Sequence, residues 1–140
     1  MTRVTRQYRF SASHRLHAPM LSEEANRATY GKCNNPYGHG HDYVLQVCVG
    51  GPIDSETGMV MDPRKLDELV ETAVMPHLRM RNLNDLSAFS EKVPTTENLA
   101  MLAERMLSES WLPAPFPELV GVRILETKRN IFETPGLRAN

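Results

Sequence analysis

The sequence predicts an α+β domain in which an antiparallel sheet carries two helices on one face. Three observations predict it: alternating apolar residues at the start of the chain, two amphipathic stretches in its middle, and further alternation near its end. A chain of 140 residues suffices for one core but is short for two. We therefore expect residues 1–140 to form a single domain.

The strand predictions rest on period-two alternation and on apolar runs bounded by glycine or proline. Five stretches meet these criteria: residues 4–16, 41–49, 58–61, 119–127 and 130–134. We expect the second and third stretches to form an antiparallel pair across the break at Gly50, Gly51 and Pro52.

The helix predictions rest on start signals followed by apolar residues at helical spacing. An Asp-Pro pair at residues 62–63 begins the first helix, which ends near Pro76. Residues 94–96, Pro-Thr-Thr, begin the second helix, which ends before Pro113. The polar residues 17–32 predict mainly a long loop, and loops of this length are usually functional or held in place.

Composition excludes several classes of partner. The formal net charge is −1 and there is no long basic run, so we expect no nucleic-acid partner. The apolar runs are too short for a bilayer and the N-terminus lacks a signal-peptide pattern, so we expect no membrane association and a cytoplasmic location. The two cysteines do not form a disulfide framework, and Cys48 is expected to be buried in a strand.

The sequence from residue 31 to residue 43 predicts a metal site. His39 and His41 are two residues apart, so in an extended segment both imidazoles point the same way and can bind one ion. The turn that follows Cys33 would hold its thiol nearby. His14, at the end of the first strand, is the best third ligand among the five histidines, because catalytic zinc sites commonly use three protein ligands. On these residues alone, a polar turn without metal remains the alternative.

Four motifs in order give the chain a resemblance to a known family. They are Phe-Ser-Ala-Ser-His-Arg-Leu at residues 10–16, Cys-Asn-Asn-Pro-Tyr-Gly-His-Gly-His at 33–41, Pro-Thr-Thr-Glu-Asn at 94–98 and Glu-Thr at 126–127. The chain resembles the 6-pyruvoyl-tetrahydropterin synthase and 6-carboxytetrahydropterin synthase family. The resemblance implies Zn²⁺ held by three histidines, here His14, His39 and His41. It also implies the tunnelling fold, in which four-stranded antiparallel sheets join into a barrel with active sites at subunit interfaces, and we expect a hexamer of two trimers.

The resemblance further implies the residues that act on substrate. Glu126 would anchor the pterin ring, with Thr127 and Thr96 also binding substrate, and Cys33 would act as a thiolate base with a lowered pKa. The substrate would be 7,8-dihydroneopterin triphosphate, which loses triphosphate. The product would be 6-carboxy-5,6,7,8-tetrahydropterin, a precursor of deazapurine nucleosides such as queuosine, which we favour, or 6-pyruvoyl-tetrahydropterin. From the residues alone, we favour a surface ion pair of Glu126 with Arg123 or Lys128, and an idle thiol for Cys33.

The chain departs from the family pattern at Arg79 and Met80, which replace an Asp-His pair that serves proton relay. Neither replacement can transfer protons at neutral pH. His77 could substitute if it points inward, and the alternative is a solvent-facing histidine near a helix end. Arg79 and Arg81 could contact the triphosphate or lie free on the surface. The departure leaves two other functions open: altered chemistry such as aldol cleavage of dihydroneopterin, and pterin binding without turnover.

Overall fold

A computed structural model describes residues 1–137 and contains four strands and four α-helices within them. In chain order these elements are β1 (Thr2–His14), α1 (Glu23–Tyr30), β2 (His39–Gly51), α2 (Pro63–Ala73), α3 (Met75–Leu78), α4 (Thr96–Glu109), β3 (Glu118–Leu125) and β4 (Ile131–Glu133). None of the helices in this part of the chain is long and apolar enough to cross a bilayer.

The four strands form one antiparallel sheet in the order β1-β2-β3-β4, which confirms the predicted sheet. The β1–β2 ladder is the longest and runs from the Thr2–Gly51 pair to the His14–His39 pair. The strand predicted over residues 58–61 is wrong. That segment follows a turn in which Asp54 Oδ1 accepts hydrogen bonds from the backbone N–H groups of Glu56 and Thr57. The segment does not pair with β2; Met61 is buried in the core, and Met59 is exposed.

The helices α2 and α4 cover one face of the sheet, as predicted, and the core lies between them and the strands. On that face the rings of Phe10 and Tyr43 stack with centroids 5.1 Å apart. The other face is more polar, where Arg123 donates to the carboxylate of Glu133 at 2.6 Å. The sheet therefore has an apolar face, whose far end carries the histidines described below.

The helix starts were predicted correctly. Asp62 caps α2 by accepting a hydrogen bond from the Arg64 N–H at 3.0 Å, and Pro63 is the first helical residue. Thr95 caps α4 by accepting from the Asn98 N–H at 3.2 Å. The first predicted helix ends earlier than expected, at Ala73, and the short α3 continues the chain in a new direction.

The connection between β1 and β2 is more ordered than the predicted loop, because it contains α1. Ser22 caps this helix, and the acidic residues of its first turn suit the helix dipole. Asn26 is fully buried: its Oδ1 accepts from the Ala18 N–H at 2.7 Å and its Nδ2 donates to the Ala18 carbonyl at 3.0 Å. One amide side chain thus fixes the connection against the helix, a role that hydrophobic periodicity does not reveal. Cys48 is buried in β2, as predicted.

Candidate metal and substrate site

Three histidines meet at the end of the apolar face, where β1 ends and β2 begins. Their ligand nitrogens all lie within 4.8 Å of one another, and the Nε2 atoms of His14 and His39 are 3.0 Å apart. The ring centroid of His41 lies 5.1 Å from the ring centroid of His14 and 4.7 Å from that of His39. The structure therefore brings together the three predicted metal ligands.

The strand register places these rings on one face. His14 pairs with His39, and Ala12 pairs with His41, so alternate residues of two neighbouring strands point toward the helices. Gly38 allows the close approach at this point: its φ is +72°, and an added Cβ would lie 3.1 Å from the His14 carbonyl oxygen. A side chain at residue 38 would push the start of β2 away from the end of β1.

The carbonyl of Pro94 orients the most buried ring of the cluster. His14 is 1% exposed, and its Nδ1 lies 2.8 Å from the Pro94 oxygen, which can only accept. The Nδ1 of His14 therefore carries the proton and its Nε2 lone pair faces His39. Because the partner is a main-chain atom far away in the sequence, no side-chain pattern could have revealed it.

The cluster fits a zinc ion. The His41 Nε2 atom is buried and makes no hydrogen bond to any residue in 1–137, as expected for a ligand atom. Two nitrogens bound at 2.0–2.1 Å to a tetrahedral ion lie about 3.3 Å apart, close to the spacing of His14 and His39. Three imidazoles leave the fourth position of such an ion open to water or substrate.

Burial keeps two of these imidazoles neutral. It lowers the pKa of His14, against the opposing effect of the Pro94 carbonyl, and it lowers the pKa of His39, with a further contribution from His41. Metals bind the neutral imidazole, so these shifts reduce the competition between protons and metal at neutral pH.

The lowered pKa values predict how the metal-free protein responds to pH. In the unfolded chain a histidine has a pKa of about 6.5, so as the pH falls below this value the unfolded state takes up protons before His14 and His39 do in the folded state. The free energy of unfolding, measured by urea denaturation with a chelator present, should fall between pH 7 and pH 5. His39→Gln should show a shallower decrease, and an identical pH dependence in the two proteins would contradict this account.

Glu126 follows β3 and lies beside the histidine cluster. Its Oε1 is 3.8 Å from the His41 Nε2, its side chain is 15% exposed, and its Oε2 accepts a hydrogen bond from the Thr96 hydroxyl. Thr96 is buried as the first residue of α4. The structure thus joins two of the predicted substrate-binding residues, and it does not pair Glu126 with Arg123, which binds Glu133 instead.

Cys33 lies in a short 3₁₀ helix, Gly31–Asn34, that precedes the histidine pair, and its side chain is half-buried. Burial and the charge of Glu126 raise the pKa of the Cys33 thiol. The protein's own residues therefore supply no cation that lowers the pKa of this thiol, and the expected lowering beside a bound zinc ion stays a prediction. The charge of Glu126 thus acts on both the thiol and the histidine cluster.

Two other predicted residues stand apart from the cluster in this single chain. The hydroxyl of Thr127 accepts hydrogen bonds from the N–H groups of Arg129 and Asn130, in the exposed turn between β3 and β4. His77 is exposed on α3, and within residues 1–137 no hydrogen bond or ring contact joins it to the cluster. Their roles in substrate binding and proton relay stay predictions.

The residues that replace the Asp-His pair are both exposed. Arg79 forms two hydrogen bonds with the carboxylate of Glu71, at 2.7 and 3.1 Å. Met80 is 79% exposed with φ of +57°, and its N–H donates to the Ser11 carbonyl, so its backbone is held at the edge of β1. It lines a cavity with His41 and Gly40, which places the departure from the family pattern next to the histidine cluster.

The fold and the site together define an α+β protein whose antiparallel sheet holds a three-histidine cluster beside a carboxylate. The family model of 6-pyruvoyl tetrahydropterin synthase matches residues 3–136, so the chain belongs to that family.

Similar proteins and a similar solved structure support the same family. The chain is 47% identical over 129 residues to a 6-pyruvoyl tetrahydrobiopterin synthase of Poecilia reticulata, with 91% of this chain and 86% of the relative covered. It is 44% identical over 134 residues to the Homo sapiens protein of the same name, covering 95% and 90%. The structure of Caenorhabditis elegans 6-pyruvoyl tetrahydropterin synthase superimposes with a TM-score of 0.87 at 38% identity, covering 95% of this chain and 94% of that one.

Proposed function

We propose that this protein is a zinc-dependent lyase that converts 7,8-dihydroneopterin triphosphate into 6-pyruvoyl-tetrahydropterin and releases triphosphate. The observation that carries the proposal is the placement of Glu126 3.8 Å from a histidine cluster able to hold a metal ion. One site thus offers a carboxylate for a pterin ring and ligands for a Lewis acid. The names of the relatives favour the pyruvoyl product over the carboxy product that the sequence led us to prefer.

The proposed role of Glu126 is to anchor the pterin. A carboxylate accepts two hydrogen bonds from the ring's amino group and adjacent N–H, and such bonds to a charged acceptor are strong. The Thr96 hydroxyl, which donates to one oxygen of Glu126, fixes the orientation of the carboxylate before substrate arrives. The substrate's side chain would then extend from the anchored ring toward the histidines and Cys33.

The proposed role of Cys33 is to remove the proton from the substrate's side-chain carbon next to the hydroxyl. A zinc ion held by His14, His39 and His41 would supply Lewis-acid polarisation of the side-chain hydroxyls and make that proton more acidic. His14 and His39 are suited to hold it because their lowered pKa values keep them neutral. The thiol needs deprotonation first, since burial and Glu126 raise its pKa.

We propose a cytoplasmic homohexamer built from two trimers. A sheet whose two edge strands are β1 and β4 can continue into neighbouring subunits, and closure into a barrel would cover both edges. The exposed residues Met20, Tyr37 and Met80 are candidates for burial in such contacts.

One observation favours a second candidate function. Arg79 is paired with Glu71 and Met80 carries no proton-transfer group, so the segment that supplies the relay in the family cannot do so here. A protein that kept the pterin site and lost this relay would either bind pterin without turnover or cleave dihydroneopterin by an aldol route. His77 is the remaining candidate relay.

The test is to incubate zinc-loaded protein with 7,8-dihydroneopterin triphosphate and identify the products by mass spectrometry. The proposal expects released triphosphate and a pyruvoyl-pterin. Cys33→Ala should lower the rate by about 100-fold or more while leaving pterin binding intact, because general bases contribute on the order of 10²–10⁴. The matched control is Cys48→Ala, which removes the buried cysteine in β2 and should keep the rate.

A hydroxymethyl-pterin product would overturn the proposal in favour of aldol cleavage. Unchanged substrate that remains bound to the protein would overturn it in favour of a pterin-binding protein. A rate that Cys33→Ala does not change would show that the thiol is not the base.

A further inference from the structure

A basic cavity is lined by residues of α1 and of the 3₁₀ helix that carries Cys33. Its volume is about 520 Å³, and Arg15, Arg27 and Lys32 supply three cations to its lining against one carboxylate, that of Glu23. The whole chain has a formal net charge of −1, so this is a local concentration of positive charge. We propose that this cavity binds the triphosphate of the substrate, an inference that rests on the proposed function.

The cavity and the site are built from neighbouring residues of the same two chain segments. Arg15 follows the metal-ligand candidate His14, and Lys32 precedes Cys33. The two segments are joined by a backbone hydrogen bond from the Leu16 N–H to the Cys33 carbonyl, 2.8 Å long. A substrate tail that leaves the histidines and Cys33 along these two segments would therefore reach this cavity.

The cations of the cavity are not neutralised by carboxylates. Within residues 1–137 none of the three forms an ion pair shorter than 4.0 Å, whereas five other arginines do: Arg6, Arg64, Arg79, Arg105 and Arg123. Arg15 Nε donates to the Asn34 carbonyl at 3.1 Å, which fixes the guanidinium in the wall. Arginines that are positioned but not paired suit phosphate oxygens, which accept their N–H groups in parallel.

The walls are held rigidly enough to form a site. Asn34 is 6% exposed; its Nδ2 donates to the Leu16 carbonyl at 2.7 Å and lies 3.0 Å from His17 Nδ1. At the other end Gly31 has φ of +56° and its N–H donates to the Arg27 carbonyl, which joins α1 to the 3₁₀ helix. Because these backbone segments are already ordered, an anion that binds here loses little binding free energy to ordering the cavity walls, and this favours affinity.

The structure does not favour triphosphate binding by Arg79 and Arg81, the two arginines that the sequence suggested for it. Arg79 is bound to Glu71, and Arg81 donates to the Pro76 carbonyl at 3.3 Å. Arg27 lies in a segment that the sequence predicted as mainly loop. Only the formation of α1 shows that it faces the same cavity as Arg15 and Lys32.

The first experiment measures binding of inorganic triphosphate by calorimetry, which needs no turnover. The double variant Arg27→Gln/Lys32→Gln removes two exposed cations of the lining and should weaken binding by about tenfold or more, with the wild-type affinity falling as salt is added. The control Lys65→Gln/Arg105→Gln removes the same charge from exposed positions on α2 and α4 and should bind as wild type. Equal weakening in both double variants, or no binding to wild type, would overturn the proposal.

The second experiment separates the substrate's triphosphate from free polyphosphate. In calorimetry 7,8-dihydroneopterin triphosphate should displace inorganic triphosphate, and the cavity variant should bind dihydroneopterin lacking phosphates as wild type does. Simultaneous binding of both ligands would overturn the proposal and assign the cavity to a free polyphosphate. Both binding measurements can be made without catalysis. If the protein binds the substrate through this cavity but does not convert it, the lyase activity is refuted and the proposed role of the cavity still holds.

Discussion

His39→Ala should lose its zinc. The wild-type protein, purified with zinc and dialysed, should hold about one ion per chain, and the variant should hold almost none. Loss of a residue that only orients a ligand costs 10–100-fold in metal affinity, so loss of one of three ligands should cost at least about 100-fold. The rate of triphosphate release should fall by at least the same factor, because the polarising ion is absent.

The matched control is His77→Ala, assayed for metal content by elemental analysis. His77 is exposed on α3, so its removal should leave zinc at the wild-type level. The same variant also tests the relay hypothesis, since a lower rate with full zinc would assign proton transfer to His77. Full zinc in His39→Ala would contradict the proposed ligand set.

Glu126→Gln should abolish tight binding of the pterin. The carboxamide accepts at one oxygen only and presents N–H groups to the ring's donors, so both hydrogen bonds to a charged group are lost and at most one bond to a neutral oxygen replaces them. Each is worth about 1.5–3 kcal/mol, which together predicts a loss of pterin affinity of about 100-fold or more. Fluorescence titration with dihydroneopterin measures this directly, and zinc content should stay the same because Glu126 lies 3.8 Å from His41 and is not in the ligand set.

Glu118→Gln provides the control for the second prediction. Glu118 is the exposed first residue of β3, the strand that Glu126 follows, and its replacement removes the same charge. Its pterin affinity should match the wild type. If Glu126→Gln bound pterin as well as Glu118→Gln does, the ring would have to be anchored elsewhere.

The sheet, the capped helices and the histidine cluster were predictable because short-range patterns encode them. Alternation in β1 and β2 fixes the parity of His14, His39 and His41, and parity decides which side chains share a face. The resemblance to a known family then joined Glu126 and Thr96 to the same site, and the structure places their side chains in contact.

Several features of the fold and the site could not be predicted, because they depend on contacts that leave no pattern in the sequence. The hydrogen bond between His14 and the Pro94 carbonyl involves a main-chain atom, and Asn26 stabilises its segment by burial of a polar side chain. The short apolar run at residues 58–61 resembles a strand, yet it forms no ladder and only Met61 packs in the core. The direction of the Cys33 pKa shift depends on the burial of the thiol and on the nearby charge of Glu126, which only the three-dimensional structure gives.

The β1–β2 register limits where insertions and deletions can occur in this protein. Residues along the ladder alternate between two faces, so inserting or deleting one residue within β1 or β2 would reverse the face of every residue beyond that point relative to its partner strand. Such a change would separate His14 from His39 and His41 even if the sheet still formed. The turn at residues 52–61 lies beyond the end of the ladder and can vary in length without this effect. Variation in length is therefore expected to collect in that turn, while the two strands keep their length as long as the metal site is in use.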